Sequence, residues 1–401
     1  MKKSHIDWCP VIPDHWEEKR IKDIAFPQSG NSITAMDIAE EGKYPVYGGN
    51  GLRGYTNNYT NDGDYVLIGR QGALCGNINY AYGKFYATEH AVVVYTKNEE
   101  ITYWLGETLK AANLNRLSMT AAQPGLAVST LNIQFIPYPP RKERIRIANY
   151  LAEKCTEIDT QVSLLISKRD AYLRLKKSII NHAVTRGLNP NVKMKDSGIE
   201  WIGEVPEHWE VKRMKDIFFE RKELSLTGEE DLLSVSEFYG VARRKDKMNS
   251  DEEFESRADS LVGYKICKAH DLVINIMLAW KTGLGISDND GIVSPAYAVY
   301  EGRNIASHFY HYLLRSGMYV KEFKRHSKGI IDSRLRLYND RFNNISAIYP
   351  PLPEQRVIAT YLDDKCAKID TIVSNLDKQI SRYADLKRSL IDEVITGKRA
   401  V

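Results

Sequence analysis

The chain has 401 residues, 43% of them hydrophobic, which is enough for two domains with real cores. Its net charge is only +4, and segments 1–140, 141–187, 188–349 and 350–401 carry −2, +6, −1 and +1, so a strongly basic footprint is excluded and any DNA site must be a local patch. No apolar run reaches the roughly eighteen residues of a membrane span, the N-terminus lacks a signal core, and the five scattered cysteines form no Cys-x-x-Cys pair, so the expectation is a cytoplasmic protein with reduced thiols, no membrane association and no zinc.

In chain order, the first feature is a frame built on Ser4 to Trp8 and Pro13 to Ile24, with Trp8, Trp16, Lys19 and Asp23. It returns at Ser197 to Trp201 and Pro206 to Ile217, with Trp201, Trp209, Lys212 and Asp216 in the same places. A period of about 200 residues is too long for a solenoid and marks a duplicated domain pair. The tryptophans read as packing anchors rather than a ligand box.

The stretch after the first frame is not repeated. It holds a loop rich in glycine, asparagine and tyrosine from Tyr44 to Tyr55, then Gly69 to Gly72 and Thr88 to His90. Glycine lets a backbone approach another surface closely, and Arg, Gln and Asn read base edges. Candidate DNA-contacting residues are therefore Tyr47, Gly48, Asn50, Arg53, Tyr55, Arg70, Gln71 and His90. Apolar runs at 64–68 and 91–95 predict strands, and an aromatic-rich pattern over 101–114 predicts a helix. Gly49 to Gly54 matches G-x-G-x-x-G, but the residues after it are poor helix formers, which argues against a dinucleotide site.

Tyr138-Pro139-Pro140 then opens a segment that ends near Gly187. Its twin follows Tyr349-Pro350-Pro351 and aligns for about fifty residues without a gap. The prolines stop a strand and fix a helix start. Apolar positions step by four and three through Leu151, Cys155, Ile158, Val162, Leu165, Tyr172 and Ile179, and through Leu362, Cys366, Ile369, Val373, Leu376, Ile380, Tyr383 and Leu390. A 3.5-residue period held over more than four heptads predicts a coiled coil, with Arg169, Lys176 and Lys387 interrupting the seam. Forty residues at a 1.5 Å rise make a rod of roughly 60 Å. The alternative is two separate surface helices, each packed on its own domain.

The second variable region repeats the plan with other residues. Runs at 271–275 and 296–300 predict strands, and 306–323 predicts helix. Local basic clusters nominate Arg243, Arg244, Lys245, Lys247, Trp280, Lys281, Arg334 and Arg336 as DNA contacts. For any one of the candidate residues a solvated loop is the better reading; the loops as a group read as a binding face. No Walker loop, H-E-x-x-H or Asn-Pro-Pro-aromatic motif is present, so no catalytic residue is nominated.

These residues together resemble the DNA-specificity (S) subunit of type I restriction–modification systems. The likeness rests on the Trp-x(7)-Trp repeats and on the two helices opened by Tyr-Pro-Pro, with Glu143, Ile147, Ala148 and Leu151 matched by Glu354, Ile358, Ala359 and Leu362. Further marks are Tyr47 to Gly51 with Leu67 to Arg70, and Ile292 to Tyr297. The resemblance implies an α+β fold of two target-recognition domains, 1–140 and 188–349, joined by helices 141–187 and 350–401 that form an antiparallel coiled coil with an internal pseudo-twofold repeat. It implies a non-catalytic reader of double-stranded DNA, each domain taking one half of a bipartite site and the coiled coil setting the gap. Two methyltransferase subunits would dock on the helices and two restriction–motor subunits could join. S-adenosylmethionine, ATP and Mg would belong to those partners, leaving no cofactor in this chain. A coiled-coil assembly scaffold without DNA preference is the competing expectation, and near-neutral charge is its best support.

Overall fold

The structure, a computed structural model, describes residues 1–72, 74–97, 101–118, 125–246 and 260–401. It divides into two compact units, Met1–Ile166 with Asp377–Val401, and Ser167–Leu376. Both long helices contribute to both units: the central helix spans Arg141–Arg186 and the C-terminal helix spans Leu352–Ile395.

In the first unit an antiparallel sheet orders Ala25–Ser29, Ala91–Thr96, Tyr65–Gly69 and Ile78–Ala81. Successive residues of a strand face opposite ways, so the run of valines serves two cores. Val66, Ile68, Val92 and Val94 pack on Trp104, Leu105 and Leu109 and on the long-helix residues Ile147, Leu151, Leu390 and Val394. Leu67 and Val93 face the other way, onto Phe85, Ala87 and Tyr47. That second core belongs to a small mixed sheet in which Tyr44–Gly48 pairs antiparallel with Gly51–Thr56 and parallel with Lys84–Ala87. The helix over the sheet is Thr102–Ala111.

The second unit follows the same plan. Its sheet orders Phe218–Glu220, Tyr297–Gly302, Leu272–Asn275 and Leu284–Ile286. Leu272, Ile274, Ala298 and Tyr300 face the large core, while Val273 and Val299 face Leu233, Val235, Val241, Cys267 and Val293. Where one helix is predicted over 306–323, two are found, Ser307–Leu314 and Gly317–His326. The break falls at Arg315–Ser316: Ser316 takes an extended conformation before Gly317, and Arg315 is used elsewhere, as described below.

The duplicated frame has the same construction in each unit. Glu17–Arg20 pairs antiparallel with Phe135–Tyr138, and Glu210–Arg213 pairs with Ser346–Tyr349. Trp16 and Trp209 are buried, and a buried indole N–H needs an acceptor. Trp16 Nε1 donates to Glu143 at 2.8 Å and Trp209 Nε1 to Glu354 at 3.0 Å, both in the first turn of a long helix. His15 and His208 meet the same carboxylates at 2.9 and 2.7 Å. Each long helix stops just before a left-handed glycine, Gly187 at φ 75° and Gly397 at φ 71°. A side chain at Gly187 would meet Trp209 at 3.3 Å, and one at Gly397 would meet Trp16 at 3.0 Å. In each unit, then, the start of one long helix and the end of the other close on one tryptophan.

That closure makes the pairing antiparallel. Within the first unit Lys387 reaches Asp159 at 2.7 Å, and within the second Lys176 reaches Asp370 at 2.6 Å. The two bridges are equivalent under the repeat. Two of the charges that interrupt the seam are therefore register pins, while Arg169 bonds its neighbour Asp170. Leu151, Cys155, Ile158, Leu362, Cys366, Ile369, Leu376 and Leu390 are buried, and Val162, Leu165, Tyr172, Ile179, Val373, Ile380 and Tyr383 half-buried. Leu164, Leu173 and Leu175, off the seam, are exposed. Cys155 lies beside Lys387, and Cys366 beside Lys176.

Two expectations follow. A double-mutant cycle on Lys387 and Asp159 should give a coupling of about 0.5–1 kcal/mol that shrinks with salt, and charge reversal of both should restore most of the loss. Burial opposes ionisation of the Glu143 carboxyl, but hydrogen bonds from Trp16 and His15 outweigh it and hold its pKa below the ordinary 4.5. Its contribution is thus complete above the unfolded value and is lost as pH falls through the lower folded value. Urea unfolding across that acid range should show a limb that Glu143→Gln lacks.

Candidate nucleic-acid interface

In the first unit three turns meet at one edge of the sheets. They are the turn at 49–50 before Gly51–Thr56, the stretches 70–72 and 74–77 after Tyr65–Gly69, and the turn 88–90 after Lys84–Ala87. Backbone hydrogen bonds lock them together: Arg70 N to His90 O at 2.9 Å, Thr88 N to Tyr47 O at 2.9 Å, and Leu126 N to Arg70 O at 2.9 Å. The contact is so close that a side chain at Gly69 would run into the Gly49 carbonyl. Here the missing side chains let one turn of the chain pack directly on another.

The candidates divide over this edge. Asn50, Arg53 and Gln71 are exposed, with Asn50 accepting from Asn77 Nδ2 at 3.3 Å and Gln71 in a β-bridge to Gly125. Arg53 lies across Gly48, whose missing side chain makes the room. Arg70 is half-buried and its guanidinium donates to Ser29 Oγ at 3.1 Å. His90 is half-buried beside Glu89 at 3.3 Å. Tyr47 packs edge-on against Phe85 with centroids 5.7 Å apart, and Tyr55 is half-buried. Polar side chains thus stand on turns locked together by backbone hydrogen bonds, and Asn, Gln and Arg are residue types able to hydrogen-bond base edges.

The second unit gathers a different set. Trp280 and Lys281 sit in the short helix Ala279–Lys281, and the Nζ atoms of Lys281 and Lys324 each lie 4.9 Å from the Trp280 ring. Lys324 also pairs with Asp332 at 3.0 Å, and Leu337 N bonds Ile276 O at 2.9 Å, so the loop carrying Arg334 and Arg336 joins this edge. Arg334 is exposed; Arg336 is half-buried, with its guanidinium on the Leu335 carbonyl. The 243–245 cluster stands apart, at the far end of Gly240–Arg243, where Arg243 and Lys245 share Asp231 at 3.2 and 2.7 Å and Arg244 is exposed. Lys247 lies outside the described residues.

Sequence reasoning missed Arg315. Its guanidinium donates to the carbonyls of Thr282, Leu284, Glu237 and Phe238 at 2.6–3.0 Å. It ties the tip of the hairpin formed by Leu233–Ser236 and Gly240–Arg243 to the Trp280 loop. One turn earlier His311 accepts from Ile286 N at 3.3 Å, and burial, with Arg315 and His308, pushes its pKa down to about 3, so it stays neutral. A lone arginine in an aromatic helical pattern gives no signal of this role.

Among the described residues no group of His, Cys, Asp or Glu is arranged to hold a metal, and no helix is long and apolar enough to cross a membrane. Against known proteins, the model of the type I restriction modification DNA specificity domain matches twice, over residues 13–164 and 206–382. The chain belongs to that family. It is 42% identical over 139 residues to the type I restriction enzyme EcoprrI specificity subunit of Escherichia coli, a match spanning 34% of this chain and only 35% of that relative. It is 22% identical over 418 residues to the MjaVIII specificity subunit of Methanocaldococcus jannaschii, covering 96% of this chain and 93% of that one. In fold it resembles a chain solved in work on complex assembly and conformational transition of the type I R-M system, with TM-score 0.67, 13% identity and coverage of 96% and 98%. It also resembles the HsdS subunit from Thermoanaerobacter tengcongensis, with TM-score 0.52, 14% identity and full coverage of both chains.

Gln71→Ala is expected to relax discrimination at one base pair by about 1–3 kcal/mol, and Lys281→Ala to weaken binding to all duplexes alike and lower the salt slope by about one. Affinities on a panel of single-base-substituted duplexes at several salt concentrations separate the two effects.

Proposed function

We propose that this chain is the DNA-reading subunit of a type I restriction–modification complex. Each unit reads one half of a bipartite target, and the helices common to both units set the gap and dock methyltransferase subunits. One observation carries this reading: the Trp–carboxylate frame is present twice in nearly the same form, while the loops it supports share almost no residues. A frame conserved within one chain and a payload that differs is the economy expected of two readers of unlike sequence. The two family matches cover both tryptophan–glutamate pairs, Trp16 with Glu143 and Trp209 with Glu354, and the variable stretch between each pair.

The chemistry would lie with partners. On this reading the chain supplies orientation and selectivity; S-adenosylmethionine, ATP and Mg bind the methyltransferase and motor subunits, two of each joining the complete assembly. The weak net charge fits such a division, since partner subunits can share the phosphate contacts that dominate affinity. A scaffold without DNA preference would not need polar side chains on backbone platforms as tightly locked as those at Arg70 and Arg315.

Mapping methylated adenines in host DNA with the gene present and deleted tests the proposal. One split motif should vanish on deletion. An unchanged pattern of methylation would overturn the proposal.

A further inference from the structure

We propose that Phe238 is an aromatic wedge that stacks against a base in the half-site read by the second unit. This rests on the DNA-reading function proposed above and adds to it a residue and a mode of contact. Phe238 sits at the tip of the hairpin between Leu233–Ser236 and Gly240–Arg243 and is 91% exposed, against 56% for Phe26, the next most exposed phenylalanine among the described residues. Of the less exposed phenylalanines, Phe135 has the Arg20 guanidinium over its ring and Phe219 that of Arg303.

The tip that carries this ring is held hard. Arg315 donates to both the Glu237 and Phe238 carbonyls at 3.0 Å. Thr282 Oγ1 donates to Glu237 O at 2.7 Å, and Phe238 N donates to Ser236 Oγ at 3.1 Å. Gly240, at φ 85°, rests on the His311 ring, where a side chain would come within 3.0 Å. Arg315 and His311, both half-buried, thus brace a hairpin tip on which the Phe238 ring stands out into solvent.

A ring so displayed adds little burial energy to the fold where it stands. A wedge instead needs stiff backing, because unstacking a base step pushes back on the side chain that enters it. The same brace fixes the Trp280 loop through Thr282, which brings the exposed Lys281 ammonium to the edge that carries Phe238. A cation placed there can hold the phosphate backbone while the ring enters the stack.

The test uses the full chain assembled with its methyltransferase subunit and a duplex bearing its target, with 2-aminopurine placed in turn at each step of both half-sites. Apart from the adenines that the methyltransferase itself turns out of the stack, binding of the wild type should raise fluorescence several-fold at one step of one half-site. Phe238→Ala should abolish the rise and weaken binding tenfold or more, while Phe238→Trp should keep both; thermal unfolding should not change, since the ring touches little protein. Unchanged fluorescence and affinity in Phe238→Ala, or no rise beyond the flipped adenines with the wild type on a duplex it selects, would overturn the wedge alone. Failure of the wild-type complex to select any duplex would overturn the wedge and the DNA-reading function together.

Discussion

Everything in this chain hangs on two buried indole N–H groups and the carboxylates that answer them. Trp16 and Trp209 lose water on folding, and an unpaired N–H there would cost about 1–3 kcal/mol. Glu143 and Glu354 meet the need from the first turns of the long helices, where a negative charge also suits the helix dipole. The histidine before each tryptophan makes the arrangement a three-residue knot. Because each knot also seats the glycine that ends the opposite helix, it fixes the direction of helix pairing as well as the position of the sheet. The Lys387–Asp159 and Lys176–Asp370 bridges then set the register along the seam.

Above the knots the two units keep one plan and change its contents. In both, a four-stranded antiparallel sheet turns one set of apolar residues toward the helices and the alternate set toward a smaller outer core. The outer layer is where they part. The first unit builds a mixed sheet whose glycines bring three turns into contact. The second lays two two-stranded ribbons over the sheet and braces the hairpin among them with Arg315. A polar edge with Asn50, Arg53 and Gln71 and an aromatic, lysine-bearing edge with Phe238, Trp280 and Lys281 suit unlike partners, which agrees with unlike half-sites.

The frame was legible in the sequence because it is repeated, and repetition separates what the fold needs from what varies. The seam was legible because burial imposes a 3.5-residue period, and the strand cores because runs such as Ala91 to Val94 are apolar on both faces. Three features were hidden for physical reasons. The parallel pairing of Tyr44–Gly48 with Lys84–Ala87 joins segments some forty residues apart through strands too short to show a pattern. Arg315 reads as an ordinary helix-surface charge, since its four acceptors are backbone carbonyls that carry no sequence signal. Phe238 is not singled out by the sequence, because hydrophobicity alone does not tell a ring that is buried from one that is displayed. Among the nominated residues, Arg243 and Lys245 looked like a free basic cluster, but Asp231, more than ten residues upstream, ties them both.

The central claim is that recognition resides in payloads which the knots carry independently. The direct measurement is to exchange the first payload, residues 26–134, for that of another family member, leaving Trp16, Glu143 and both long helices intact, and to map the methylated sequence of the assembled complex. A motif changed in one half only, with the other half and the gap preserved, is expected. Loss of the whole motif from a complex that still assembles, or a change in both halves, would contradict it.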